Sequence, residues 1–152
     1  METDATSIQL ADEAFMRKAL EEARRAFAAG EVPIGAIVTL QGRIVGRGHN
    51  LTETLDDATA HAEMQAITAA AGSLGAKYLT GCTLYVTVEP CVMCAGAMYW
   101  AKVARLVYGA PDEKYGYTVK SPGALHPKTE VTSGVLADEC AALMKTFFKN
   151  KR

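Results

Sequence analysis

His61, Glu63, Cys91 and Cys94 are the residues of this chain whose types and spacing could do chemistry together. They lie in two short runs, His61-Ala62-Glu63 and Pro90-Cys91-Val92-Met93-Cys94. The runs supply three metal ligands, His61, Cys91 and Cys94, and leave one carboxylate spare. A closed structural zinc site uses four protein ligands, whereas a catalytic one uses three and keeps a position open for water. A carboxylate beside the ligands is what a hydrolytic proton shuttle requires. A lone Cys-x-x-Cys would also suit redox chemistry, or half of a structural zinc site with His126 or Cys82 as a further ligand. Neither residue has ligand-like spacing, and the upstream His-x-Glu run favours the open, hydrolytic site.

The positions of these residues in their elements sharpen the reading. Pro90 suits the first turn of a helix running from Cys91 to about Ala101. That helix puts both sulfurs on one side, and its positive N-terminal end favours thiolates. His61 and Glu63 are two apart and would diverge in mid-helix. At a helix N-terminus both can converge on a point beyond it, so zinc is expected between two helix N-termini. Two thiolates, a neutral imidazole and Zn2+ sum to zero charge, and the helix ends stabilise any negative charge added there. The chemistry that fits is hydrolytic deamination at an amidine-like carbon of a nucleobase. Glu63 would carry the water proton to a ring nitrogen and, in a second transfer, would protonate the departing amine.

Elements that could hold such a site are legible around it. Met16, Leu20, Ala23 and Phe27 recur at helical spacing and predict a helix from about Ala11 to Ala29, ended by Gly30. Ile34–Leu40 and Arg43–Asn50 read as hairpin strands about a Gln41-Gly42 turn. After a polar loop, Thr59 is placed to cap a helix from Ala60 to about Ala71. Cys82–Val88 and Arg105–Tyr108 read as strands, and 111–128 as a long functional loop. Glu130–Thr132 reads as a short strand and Leu136–Lys149 as a closing helix with Leu136, Cys140, Leu143 and Phe147 on one stripe. Helices alternating with strands after an opening hairpin predict the α/β class, in a three-layer α/β/α arrangement.

Composition bounds the function classes. The chain has 152 residues, 49% of them hydrophobic, which predicts one ordered domain spanning 1–152. A net charge of −1 argues against nucleic-acid binding by bulk attraction, although Lys145, Lys149, Lys151 and Arg152 make a basic end. That cluster suits phosphate contact and, equally, a solvated helix terminus. No apolar stretch is long enough to span a membrane. The start, Met1–Gln9, lacks a signal peptide's basic and apolar pattern, which points to the cytoplasm. Of four cysteines, two form the close pair, while Cys82 and Cys140 fall on a strand and on the apolar helix stripe and are expected in the core.

Longer runs carry a family resemblance. They are Glu31-Val32-Pro33-Ile34-Gly35-Ala36, Thr59-Ala60-His61-Ala62-Glu63, Leu84 through Ala97, and Gly134 through Cys140 followed by Phe147-Phe148. On these runs the chain resembles the bacterial tRNA-specific adenosine deaminases of the cytidine deaminase-like superfamily. The resemblance implies a central five-stranded mixed sheet flanked by helices, a homodimer and one Zn2+ per subunit. It implies conversion of the wobble adenosine of a tRNA anticodon stem-loop to inosine. Carried onto this chain, His61, Cys91 and Cys94 would bind zinc and Glu63 would shuttle protons. Asn50 would hydrogen-bond the base, the backbone amides of Ala62 and Cys91 would help hold the reacting group, and Asp112 would lie near the RNA backbone. Read without the resemblance, Asn50 is equally a strand-end turn residue and Asp112 an ordinary loop acid. Tyr99-Trp100 departs from the tRNA branch and resembles guanine deaminases, so deamination of a free base, guanine or cytosine, is the runner-up. The stretch Tyr115–His126 departs as well. A non-catalytic zinc-stabilised binding module is the third reading, and it has no need of Glu63.

Overall fold

A computed structural model describes residues 5–151. Met1, Asp4 and Arg152, which the readings of the N-terminus and of the basic end include, lie outside the described residues. The elements follow in the order α1 (Ala5–Ala28), β1 (Gly35–Leu40), β2 (Arg43–His49), α2 (Ala62–Leu74), β3 (Thr83–Val88), α3 (Val92–Ala101) and β4 (Arg105–Ala110). A short α4 (Tyr117–Lys120), a 3-10 turn (Pro122–Ala124), β5 (Glu130–Thr132) and α5 (Ala137–Asn150) complete them. The strands form one five-stranded mixed sheet in the order β2-β1-β3-β4-β5. Pairing is antiparallel from β2 to β3 and parallel from β3 to β5. The three-layer α/β/α expectation therefore holds.

Strand alternation builds the two cores. Ala36, Val38, Leu84, Val86 and Leu106 face one side and pack with Ala62, Ala66 and Ala70 of α2 and Ala95 and Met98 of α3. Ile37, Tyr85 and Val107 face the other and pack with Met16, Ala19 and Leu20 of α1 and Cys140 of α5. Period two along each strand thus feeds both faces. Cys82 and Cys140 are buried free thiols, as their settings predicted. On the second face Arg105 donates to both carboxylate oxygens of Asp12, at 2.8 and 2.7 Å, and the Tyr85 hydroxyl donates to the same carboxylate at 2.9 Å. This bidentate pair ties α1 to β3 and β4.

The hairpin turns through Gln41 and Gly42, whose φ angles are 51° and 77°. Two positive φ values in a two-residue loop match the right-handed twist of the flanking strands. Three element boundaries differ from expectation. Helix α1 begins at Ala5, well before the buried stripe that starts at Asp12, because an exposed helical extension needs no core contact. Thr59 does not cap α2. Its amide and hydroxyl both bond to Asp57 Oδ1 at 2.8 Å, a local turn that outcompetes the capping role, and α2 starts at Ala62 with His61 as its cap. The loop 111–128 contains α4 and the 3-10 turn.

The sheet's strand directions place the site. Gly35 pairs with His49, Ala36 with Val86, and Val88 with Ala110, so β2, β3 and β4 all end at the same edge. The connections into α2, into α3 and into the 111–128 loop leave from that edge. Ligand sites of open α/β sheets form at such carboxyl ends.

Helix α2 sits directly on the backbone of β2. A methyl group built on Gly46 would lie 2.6 Å from the Ala66 carbonyl oxygen, and one on Gly48 would lie 2.6 Å from the Ala62 oxygen. The helix would have to move to admit either. Gly48→Ala is expected to destabilise the fold by about 1–3 kcal/mol through overpacking. It should also weaken zinc affinity, because the displaced helix carries His61 and Glu63. Denaturant titration of the metal-free protein and zinc competition with a chromophoric chelator measure the two effects separately.

Candidate metal and catalytic site

His61 and Cys91 occupy equivalent places. Each is the residue before the first turn of its helix, His61 for α2 and Cys91 for α3. Each has extended backbone, with φ −72° and ψ 155° at His61 and φ −75° and ψ 175° at Cys91. Neither side chain makes a capping hydrogen bond at its helix end, so both are available to the site beyond it. Helix ends present unpaired amides and partial positive charge at that place.

The three expected ligands come together. His61 Nδ1 lies 3.6 Å from Cys91 Sγ and 3.5 Å from Cys94 Sγ. One ligand atom from each of His61, Cys91 and Cys94 falls within 4.8 Å of the others. Tetrahedral zinc with bonds of about 2.0–2.3 Å needs donor separations in this range. The donor set, two sulfurs and one imidazole nitrogen, fits zinc, and no further His, Cys, Asp or Glu joins the cluster among the described residues. His126 and Cys82 are not ligands here. Cys82 is buried in the core, and His126 stacks against Tyr99 with ring centroids 4.9 Å apart.

Glu63 is in the first turn of α2 and is buried. The protonation pattern of the metal-free cluster is that of a shared charge. The bond from Cys94 is the main influence holding the Cys91 thiol down at about 4, against the opposing pull of burial, while the partnership with Cys91 and burial push Cys94 up. The bond to Cys91 raises His61. Burial pushes the Glu63 carboxyl up to about 7. Ala62 is the first residue of α2 and is fully buried, with its amide at the unpaired end of the helix.

The two other expected contact residues are engaged locally. Asn50 is buried, its side chain donating to the Val32 carbonyl at 3.4 Å and accepting from the Thr52 amide at 3.1 Å. Asp112 Oδ1 accepts from the amides of Lys114 and Tyr115 at 3.1 and 2.9 Å. Both make the local turn bonds that their residue types favour. The basic residues Lys145, Lys149 and Lys151 are exposed along the end of α5, with Lys151 Nζ 5.3 Å from the Phe147 ring centroid.

Two buried carboxylates that sequence reasoning missed hold the walls of the site. Glu31 Oε2 accepts from the amide and the hydroxyl of Thr54, both at 2.6 Å, and Oε1 accepts from the Glu53 amide at 3.0 Å. It fastens the loop between β2 and α2. Glu89 Oε2 accepts from the amide and hydroxyl of Thr118 at 3.1 and 2.6 Å, and Oε1 accepts from the Asp112 amide at 3.1 Å. It fastens the loop after β4 beside Pro90. The available signal was an acid directly before an apolar or proline residue at a strand or helix boundary, in Glu31-Val32-Pro33 and Glu89-Pro90.

These clamps are testable. Burial pushes the Glu31 carboxyl up, but the Thr54 and Glu53 donors outweigh it and hold it below its ordinary value of 4.5. A carboxyl lowered in the folded state contributes stability above its unfolded value and loses it as pH falls through the folded value. Glu31→Gln should therefore lose stability at about pH 7 and converge on the parent protein only as the pH falls from 4.5 through the lowered folded-state value, in parallel denaturant titrations. Glu89→Gln places an amide NH2 or a weaker acceptor against N–H and O–H donors, at a cost of about 1–3 kcal/mol. Hydrogen exchange should accelerate at Asp112 and Thr118 and not at Thr54.

Comparisons with known proteins agree with this geometry. The family model described as the cytidine and deoxycytidylate deaminase zinc-binding region matches residues 10–110. A Bacillus subtilis protein named tRNA-specific adenosine deaminase is 44% identical over 93% of this chain and 91% of its own. One of the same name from Agrobacterium fabrum is 45% identical over 91% and 94%. A solved structure from work on A-to-I editing by tRNA:A34 deaminases superposes with a TM-score of 0.79 at 44% identity, covering 86% of this chain and 98% of that one. A guanine deaminase from Nitrosomonas europaea superposes with a TM-score of 0.80 at 30% identity, covering 89% and 83%. A zinc-deaminase family model that spans most of the chain, and relatives above 40% identity along nearly all of it, leave one assignment: the chain belongs to the cytidine and deoxycytidylate deaminase family of zinc-binding proteins.

Proposed function

We propose that the protein is a zinc-dependent hydrolase that converts adenosine to inosine at the wobble position of a tRNA anticodon stem-loop, acting as a single deaminase domain. The observation that carries this reading is the set of three ligands with a buried, unligated Glu63 beside them. The substrate assignment is supported by relatives named tRNA-specific adenosine deaminase at 44% and 45% identity, against 30% for the guanine deaminase.

His61, Cys91 and Cys94 would hold one Zn2+ per subunit. Bound zinc supplies a Lewis acid that activates water at neutral pH. Glu63 accepts one proton from water and delivers it to the purine N1, then takes the proton of the added hydroxyl and passes it to the departing amine. Its burial keeps that carboxyl from exchanging with bulk solvent. The amides of Ala62 and Cys91, at the two helix N-termini, orient the reacting group. Asn50 hydrogen-bonds the base from a side chain already fixed by Val32 and Thr52. Asp112 shapes the turn beside the RNA backbone. The reacting adenosine must leave its stack, which costs less in a single-stranded loop than in a duplex. The exposed lysines of α5 suit phosphate contacts at the loop or stem. The enzyme acts as a cytoplasmic homodimer. Among the described residues no helix is long and apolar enough to cross a membrane.

Deamination of free guanine or cytosine is the second reading, favoured by the Tyr99-Trp100 pair. Zinc-loaded protein incubated with an adenosine-34 stem-loop, and separately with free guanine, cytosine and adenosine, distinguishes the two. Inosine in the RNA alone is the expected result, and turnover of a free base alone would establish the alternative. Glu63→Ala should retain zinc and lose about 10²–10⁴-fold or more in rate. Unchanged turnover in that variant would overturn the role given to Glu63.

A further inference from the structure

Glu22 and His49 form a pair that the proposed chemistry does not use. Glu22 is a buried carboxylate of α1, which packs on the sheet face opposite α2 and α3. His49 is the last residue of β2 and stands directly before Asn50. Its Nδ1 lies 3.3 Å from Glu22 Oε1. A carboxylate can only accept, so the imidazole Nδ1–H donates. Glu22 Oε2 accepts no hydrogen bond among the described residues, and Nη1 of the exposed Arg25 side chain lies 3.5 Å from it.

Gly35 brings the helix to this place. It is the register partner of His49 in the β1–β2 ladder. A methyl group built on Gly35 would run into the Ala19 carbonyl oxygen, the Ala23 amide and Glu22 Cβ. Helix α1 therefore rests on the backbone of β1, and Glu22 reaches over it to the neighbouring strand. That strand, β2, is at the edge of the sheet. Its end is held by pairing with β1 and, on one face, by α2 against Gly48. The Glu22–His49 bond adds a hold from the other face, at the last residue before the chain leaves the sheet. Immediately beyond, the Asn50 amide donates to the Ile34 carbonyl at 3.1 Å, and its side chain is fixed by Val32 and Thr52.

We propose that Glu22 and His49 are positioning residues, whose bond fixes the end of β2 and with it the direction from which Asn50 meets the substrate base. The proposal rests on the reading that Asn50 contacts that base. A carboxylate buried this deeply costs free energy that a well-packed apolar pair in the same place would not. Apolar side chains would hold α1 against β2, but such contacts are non-directional. One directed hydrogen bond from a seated helix specifies a single placement. A polar side chain aimed at a base needs that, since a misplacement of about 1 Å caused by a distant change can cost on the order of 10²-fold in rate. The zinc ligands start from α2 and α3, across the sheet, so the pair acts on the base contact and leaves the metal untouched.

A double-mutant cycle with Asn50 tests this, with kcat/KM for inosine formation on the adenosine-34 stem-loop as the readout. Glu22→Leu should lower kcat/KM by ~10-fold or more with zinc content retained. His49→Leu should do the same at a partly exposed position, which keeps the test open if the Glu22 variant does not fold. His49→Asn, whose side-chain amide can donate from nearly the place of Nδ1, should return to within ~3-fold of the parent. In an Asn50→Ala background each leucine variant should cost less than ~2-fold, because the group being aimed is gone. Equal losses in both backgrounds, or a lowered denaturant midpoint with kcat/KM unchanged, would make the pair a scaffold contact and overturn the proposal. Asn50→Ala with unchanged turnover would overturn it too, and leave the deaminase reading standing. If the parent turns over only a free base, the same coupling measured on that base would sustain the pair and overturn the RNA reading. A zinc-loaded parent that turns over no base overturns both.

Discussion

Everything at the site depends on one geometric constraint: two side chains must leave the chain just before two different helices and meet. His61 and Cys91 do this because both sit just before a helix, in extended backbone, with side chains unused for capping. The position matters more than the residue spacing. In mid-helix, residues two apart point to opposite sides, and His61 and Glu63 could not serve one metal and its water. At the helix start they can. The same location supplies free amides and positive potential, which oppose the cost of collecting thiolates in a partly buried place.

The sheet makes that meeting possible. Its mixed order brings the ends of β2, β3 and β4 to one edge, so α2, α3 and the loop after β4 all start from the same place. Glu31 and Glu89 then fix the two irregular walls, each binding three donors from one loop. A loop has few ways to satisfy its backbone amides without water or regular pairing. A buried carboxylate satisfies several at once, and its charge makes each bond stronger than a neutral one. Gly116 completes the second clamp, since any side chain there would run into the Glu89 carboxylate and the Asp112 carbonyl.

How far the sequence discloses this structure follows from the physical nature of each feature. The ligands were legible because metal chemistry restricts both residue type and spacing, and His61, Cys91 and Cys94 meet as the two runs suggested. The layered fold was legible because the short, near-continuous apolar runs of β1, β3 and β4 differ plainly from the helical stripe of α1 and α5. Thr59 was misread because two local bonds to Asp57 compete with capping, and propensity cannot rank the two outcomes. The helical turns within 111–128 were hidden among glycines and prolines, where no apolar period announces them. Glu31 and Glu89 escaped notice for a different reason. Nothing in an acidic residue's neighbours along the chain says that its donors will come from 22 to 29 positions away. Asn50 and Asp112 had two readings, and their local turn bonds are on view.

The seating of α2 on Gly46 and Gly48 has a consequence for how such a chain can change over time. Where helix and strand meet through side chains, each core substitution alters the separation slightly, and the ligands would wander with it. Here the separation is a contact of main chain on main chain, with Ala62, Ala66 and Ala70 facing two residues that have no side chain to vary. The distance from sheet to His61 is thus set by the van der Waals thickness of the polypeptide itself. The remaining core is free to drift in sequence without retuning the metal geometry, and new specificities can accumulate on the surrounding loops while the reaction centre keeps its dimensions.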